Sequence, residues 1–279
     1  MQKSSMALWS QSILNASLGN PPAEMTDDVS LACMMQSSTP AVIFPPRSGG
    51  GPSSATIEVR LEGVVERALN LSATAKKVGI LIFCSARRPG GGWLSGAFAQ
   101  EEAVSMCSTW ALGCENASFH DAVHCDTFYS DGVLSMQGAL IASQPGTWLS
   151  EPVGVAFAGF AAPNMKAFRE SGGDAGAPPN ARRVFNALVI RCSNALAALS
   201  DSGCDAVVLG AIGCGVFEID PAIAADAWRQ ALATHGAGFS HIDFALSPSP
   251  SPSILAAFET LASASPPPVA PKPRALLNR

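Results

Sequence analysis

Charge is scarce in this sequence, and basic charge scarcer than acidic: 14% of the 279 residues are charged and the net charge is −5. Proteins that grip duplex nucleic acid without sequence preference are basic, so no dedicated duplex DNA binding is expected. A nucleotide ligand is still allowed, because main-chain N–H groups can hold phosphates. No window approaches the ~18 apolar residues of a spanning helix, and the first residues lack a basic region followed by a long apolar run. The expectation is an intracellular protein, cytoplasmic or nuclear, with no membrane partner. The eight cysteines contain no CxxC pair and sit in apolar or glycine-rich surroundings, which favours reduced thiols over a disulfide framework. Neither GxGxxG nor GxxxxGK[ST] occurs at a strand end, so dinucleotide redox chemistry and kinase-type phosphoryl transfer lack their fingerprints.

Apolar residues, in contrast, make up 48% of the chain, enough for a sizeable core. The pattern predicts strands at 55–59, 78–84, 133–136, 153–160, 205–212 and 239–246. Helices are predicted at 63–71, 97–110, 182–199, 221–235 and 253–264, with Asp220 as a cap before Pro221 at the first helical position. Alternating strands and helices imply an α/β fold with helices on both faces of a mixed, mostly parallel sheet. Three segments are read: an N-terminal extension and linker at 1–54, with a short helix at 6–18; a globular domain at 55–264; and a Pro-rich tail at 265–279, expected to be disordered.

The informative stretch is 80–109. An apolar strand ends in Arg87, Arg88 and Pro89, then Gly90, Gly91 and Gly92, and shortly afterwards Gln100, Glu101 and Glu102. Three consecutive glycines contribute no packing; they suit positive φ or main-chain contact with a ligand. Such a turn between a buried strand and a helix is a phosphate cradle by geometry, and two carboxylates beyond it supply acid/base chemistry. The plainer reading is a glycine turn before an acidic helix start. A second glycine turn, Gly213-Cys214-Gly215-Val216-Phe217, also follows a buried strand. Ligands of open α/β sheets sit beyond the carboxyl ends of strands, so both turns can close on one diphosphate.

Other candidates weigh less. His120, His124, Cys125 and Asp126 have no second half with zinc-like spacing, and a loop is the simpler reading. Cys214 has no evident histidine partner, so close packing is preferred to a nucleophile. Trp93 and Phe217 also suit core positions. Arg87 and Arg88 suit a solvated turn.

The ordered set Pro89-Gly90-Gly91-Gly92-Trp93-Leu94, Gly96-Ala97 and Ala99-Gln100-Glu101-Glu102 resembles the signature of microbial-type poly(ADP-ribose) glycohydrolases. Tyr129 to Val133, Ala161 to Asn164 and Leu209 to Phe217 are similar to later blocks of that family, in order, so the resemblance covers about 55–261. It implies a three-layer macrodomain-like fold, and hydrolysis of ribose–ribose bonds in poly(ADP-ribose) with release of ADP-ribose. It implies Glu102 as catalytic acid/base, Glu101 as holder of the ribose hydroxyls and Gln100 as a pocket residue. Gly90, Gly91 and Gly92 become the catalytic loop; Gly213, Cys214, Gly215 and Val216 the second diphosphate loop; and Phe217 the residue against the distal ribose. No metal or cofactor is implied, and the partner is poly(ADP-ribose) or an ADP-ribosylated macromolecule. Two positions depart from the family: Ile82, where many relatives have Asn or Asp, and Met106, where an Arg is usual. A reader that binds ADP-ribose with little turnover, or a hydrolase acting on a protein or nucleic-acid acceptor, are the alternatives. A carboxylate near Trp93, Phe98 and Phe217 is expected to keep its proton near neutral pH.

Overall fold

Residues Val78–Phe83 (β3) form the run VGILIF, and the first five are buried. A strand that is apolar on both faces is stable only inside a sheet covered on both sides. In the computed structural model, which describes residues 42–44, 51, 55–86, 90–115, 132–144, 147–170 and 181–263, β3 lies at the centre of a seven-stranded sheet of order β1-β4-β5-β3-β6-β7-β2. The other strands are β1 (Val42–Phe44), β2 (Thr56–Leu61), β4 (Val133–Gln144), β5 (Thr147–Phe160), β6 (Ala206–Leu209) and β7 (His241–Leu246). From β5 through β3, β6 and β7 to β2 the neighbours are parallel. The pairs β1–β4 and β4–β5 are antiparallel. The sheet is thus the mixed, mostly parallel one read from the sequence.

Side chains alternate across it as the strand period requires. Leu81, Val207 and Leu209 pack on one face under α5 (Ala181–Asp201), α6 (Pro221–His235) and α7 (Pro252–Ser263). Ile80, Ile82 and Val208 pack on the other under α1 (Val64–Ser72), α2 (Gln100–Ser105) and α3 (Trp110–Glu115). A further short helix, α4 (Met165–Glu170), follows β5. Each large side chain buried this way contributes about 2 kcal/mol relative to exposure.

Several elements differ from the sequence reading. The helix expected at 97–110 is two short helices, α2 and α3, preceded by a 3₁₀ turn at Trp93–Ser95. Ser108 makes the break: its hydroxyl accepts the Trp110 N–H at 3.2 Å, starting α3, and the residue bridges to Ile141. β4 and β5 form a long hairpin in place of two short strands, with a register shift between Met136 and Ala139. Within the segment read as an N-terminal extension, Val42–Phe44 joins the sheet edge beside β4, and Gly51 bonds to Thr234 and Ala237 around the end of α6. The remaining parts of 1–54, the Arg87-Arg88-Pro89 segment, the 116–131 stretch with its His, Cys and Asp residues, the 171–180 loop and the Pro-rich tail lie outside the described residues.

Candidate active site

Because β5, β3 and β6 are parallel neighbours, the segments that follow them leave the same edge of the sheet. Their roots touch. A β-carbon on Gly210 would stand 2.7 Å from the Phe83 ring, and one on Gly213 would stand 3.1 Å from the Ala162 methyl. Trp228 of α6 anchors the start of the second turn, its indole N–H donating to the Gly210 carbonyl at 3.1 Å. The two glycine turns therefore share one rim, where open α/β sheets hold ligands.

The edge of β3 is prepared for this. β6 pairs with it only through Ile80, so the next groups on that edge, the Leu81 carbonyl and the Phe83 N–H, need other partners. Gln100 supplies both: its amide donates to Leu81 at 2.6 Å and accepts from Phe83 at 2.9 Å. The side-chain amide takes the place of a strand peptide, which locks α2 to the end of β3.

Glu101 is 3% exposed and clamps the first turn. One oxygen accepts from Ser85 N–H at 2.7 Å; the other accepts from Gly90 N–H at 2.9 Å and the Trp110 indole at 3.3 Å. Ser105 completes the clamp by donating to the Gly90 carbonyl at 2.8 Å. Burial outweighs these donors and lifts the Glu101 carboxyl to about 7.

Glu102, the next residue, lies beneath the second half of the turn. Its oxygens accept from Gly92 N–H at 2.9 Å and from Ala99 N–H at 3.0 Å, the latter closing the N-terminus of α2. Gly91 passes directly over it, at φ +73°. The sequence reading turns the N–H groups of this loop toward a phosphate; those of Gly90 and Gly92 are turned inward, to the two carboxylates.

The second turn has a different build. Gly213 adopts φ +77°, and a β-carbon there would meet Ile219 at 2.5 Å. Ile219 N–H donates back to Gly213 and Glu218 N–H to Gly215. Gly215 has open space around it, and Val216 is 70% exposed. Phe217 is half-buried against the helices of the α5–α7 face. Burial pushes the Cys214 thiol up to about 12, which disfavours the thiolate a nucleophile needs.

Gly90 to Gly92, Gln100, Glu101 and Glu102 thus form one hydrogen-bonded unit, and the 213–217 turn stands on the same rim. The apolar surroundings differ from the expectation. Trp93 is buried in the α1–α3 core, whereas Phe98 is 69% exposed and Phe217 packs with the opposite face. The group whose proton is raised toward neutrality is Glu101, through burial near Trp110 rather than through those three rings. Ile82 is fully buried and Met106 nearly so. Ser85, Ser105 and Trp110 are site residues that the sequence reading did not single out; the position of Ser105 one helical turn after Glu101 was the available sign. Among the described residues no group of three or more His, Cys, Asp or Glu is placed to hold a metal. The six described cysteines are free thiols, and no described helix is long and apolar enough to cross a membrane.

Comparison with known proteins gives the family. Residues 23–134 match the family model for the catalytic domain of microbial-type poly(ADP-ribose) glycohydrolase. The poly(ADP-ribose) glycohydrolase of Thermomonospora curvata is 29% identical, with 93% of this chain and 100% of that one covered, at a TM-score of 0.74. The same enzyme bound to the inhibitor ADP-HPD is 27% identical over 92% of this chain and 99% of that one, at 0.72. The Deinococcus radiodurans enzyme in complex with ADP-ribose is 30% identical over 76% of this chain and 85% of that one, at 0.66. No curated protein matches the sequence. The fold is thus shared with solved enzymes over most of their length, and at this identity and coverage the chain belongs to the microbial-type poly(ADP-ribose) glycohydrolase family.

Proposed function

We propose that this chain cleaves ribose–ribose O-glycosidic bonds of poly(ADP-ribose) and releases ADP-ribose, with Glu102 as general acid/base. The observation that carries the reading is the seat of Glu102. Its carboxylate is fixed by two backbone N–H groups under a turn that carries no side chains, on the rim where a nucleotide diphosphate fits. A sugar can approach that turn more closely than it can any loop bearing side chains.

Cleavage of such a bond needs a proton for the departing oxygen and support for an oxocarbenium-like centre. Glu102 gives the proton, then takes one from the attacking water. The substrate's diphosphate lies along Gly213 to Val216, where the open space at Gly215 admits it, and its charge supports the developing cation. Phe217 rests on the distal ribose. Gln100 and Glu101 hold the turn in shape; contact between Glu101 and the ribose hydroxyls requires it to exchange a loop N–H for the sugar. No step calls for a metal or cofactor. The catalytic unit runs from β1 through α7, and its partner is poly(ADP-ribose) or an ADP-ribosylated macromolecule.

Labelled poly(ADP-ribose) tests the reading. The wild-type chain should release ADP-ribose, and Glu102→Gln should lose turnover while still binding ADP-ribose. Equal loss of binding and turnover in that variant would make Glu102 structural. Binding by the wild type without release would leave a reader of ADP-ribose in place of an enzyme.

A further inference from the structure

Glu218 is, among the described residues, the one non-glycine with positive φ, at 56°. A residue with a β-carbon is held there only when its surroundings impose it. Those surroundings are specific. Its N–H donates to the Gly215 carbonyl at 3.0 Å, and its carboxylate pairs with Arg169 near the end of α4. The carbonyl of the preceding residue, Phe217, accepts the N–H groups of Met165 at 2.9 Å and Lys166 at 3.3 Å. Asn164 starts the same helix by accepting the Ala167 N–H at 2.9 Å. The short helix after β5 therefore grips the second turn at both ends, through the backbone of Phe217 and the side chain of Glu218.

We propose that Arg169 and Glu218 are positioning residues that set the Phe217 ring against the distal ribose. The inference rests on the functional reading above, which places that ring. An exposed ion pair adds little to global stability. Its effect here is local: it offsets the unfavourable backbone of one residue, and a left-handed residue reverts toward common φ values when its restraint is removed. Reversion at Glu218 would rotate the peptide that carries the Phe217 carbonyl and swing the ring. Stability and ring position are thus separable in this pair.

The test compares wild type, Arg169→Met, Glu218→Gln and the charge-reversed double variant Arg169→Glu/Glu218→Arg. Each single variant should exchange the Glu218 and Ile219 amide protons roughly tenfold faster, and should lower kcat on poly(ADP-ribose) several-fold while the melting temperature stays close to wild type. The reversed pair should recover both slow exchange and kcat. Single variants with wild-type exchange and kcat, or a reversed pair that behaves like the single variants, would overturn the proposal. A wild-type chain that releases no ADP-ribose would defeat the functional reading instead, and the exchange rates alone would then decide the clamp.

Discussion

A β-carbon on Gly91 would stand 2.4 Å from Oε1 of Glu102. Turn and carboxylate are in contact without room for a methyl group, and the backbone there is left-handed as well. Gly91→Ala should therefore displace either the turn or Glu102, and a 1 Å displacement at a reacting group costs on the order of 100-fold in rate. Gly96→Ala is the matched control. That glycine has nearly the same φ, +78°, but nothing lies within 4 Å of its β-carbon position, so only backbone strain is added. Turnover of poly(ADP-ribose) by the two variants separates clash from strain; equal losses would refute the argument.

Gln100 substitutes for a missing strand. Gln100→Ala leaves a half-buried carbonyl and N–H of β3 without their partner, which should cost about 1–3 kcal/mol in urea unfolding. Gln100→Glu should be worse. A carboxylate still accepts from Phe83 but turns an acceptor toward the Leu81 carbonyl, where 2.6 Å now separates donor from acceptor. A glutamate variant as stable as wild type would mean that the pairing is incidental.

Burial lifts Glu101 from an ordinary 4.5 to about 7. A carboxyl whose folded pKa is raised stabilises fully below its unfolded value, and that contribution is lost as pH rises through the folded one. Between about pH 4.5 and 7 the wild type should thus lose about 3 kcal/mol from this group. Glu101→Gln does not titrate, so the stability difference, wild type minus variant, should fall across that window and level off above it. Urea unfolding at several pH values gives the difference directly, and a constant value would show that Glu101 is ionised throughout.

Local chemistry explains which elements could be read in advance. Asp220-Pro221 marks the start of α6, and the Asp220 carboxylate does accept the Ala222 N–H at 2.9 Å. β3 and β6 announce themselves as apolar runs, β6 closed directly by Gly210. β4 and β5 are legible only at 133–136 and 153–160, because Gln137-Gly138 interrupts the apolar pattern at a register shift and Pro152 argues against a strand. In the site, the glycines and glutamates were legible as residue types, but not their division of labour. That two loop amides serve the carboxylates depends on how far α2 lies from β3, and Gln100 sets that distance through bonds between residues 17 and 19 positions apart. No local pattern encodes such a contact.

The last prediction concerns the sheet face that also carries α2, where Arg67 of α1 donates through Nε to Asp243 of β7 at 2.6 Å. Asp243 is 1% exposed, and burial pushes its carboxyl up even though Arg67 opposes the shift. Removing the cation alone leaves a buried, unpaired carboxylate, so Arg67→Met should destabilise by about 3–5 kcal/mol at neutral pH. The deficit should shrink as pH falls, because protonation of Asp243 removes the unpaired charge. Arg67→Met/Asp243→Asn, which buries no charge, should recover much of the loss. Thermal unfolding of the three proteins at pH 5 and pH 8 checks the sign: a deficit that grows on acidification, or a double variant less stable than Arg67→Met, would show that the pair is not held together by burial of the aspartate.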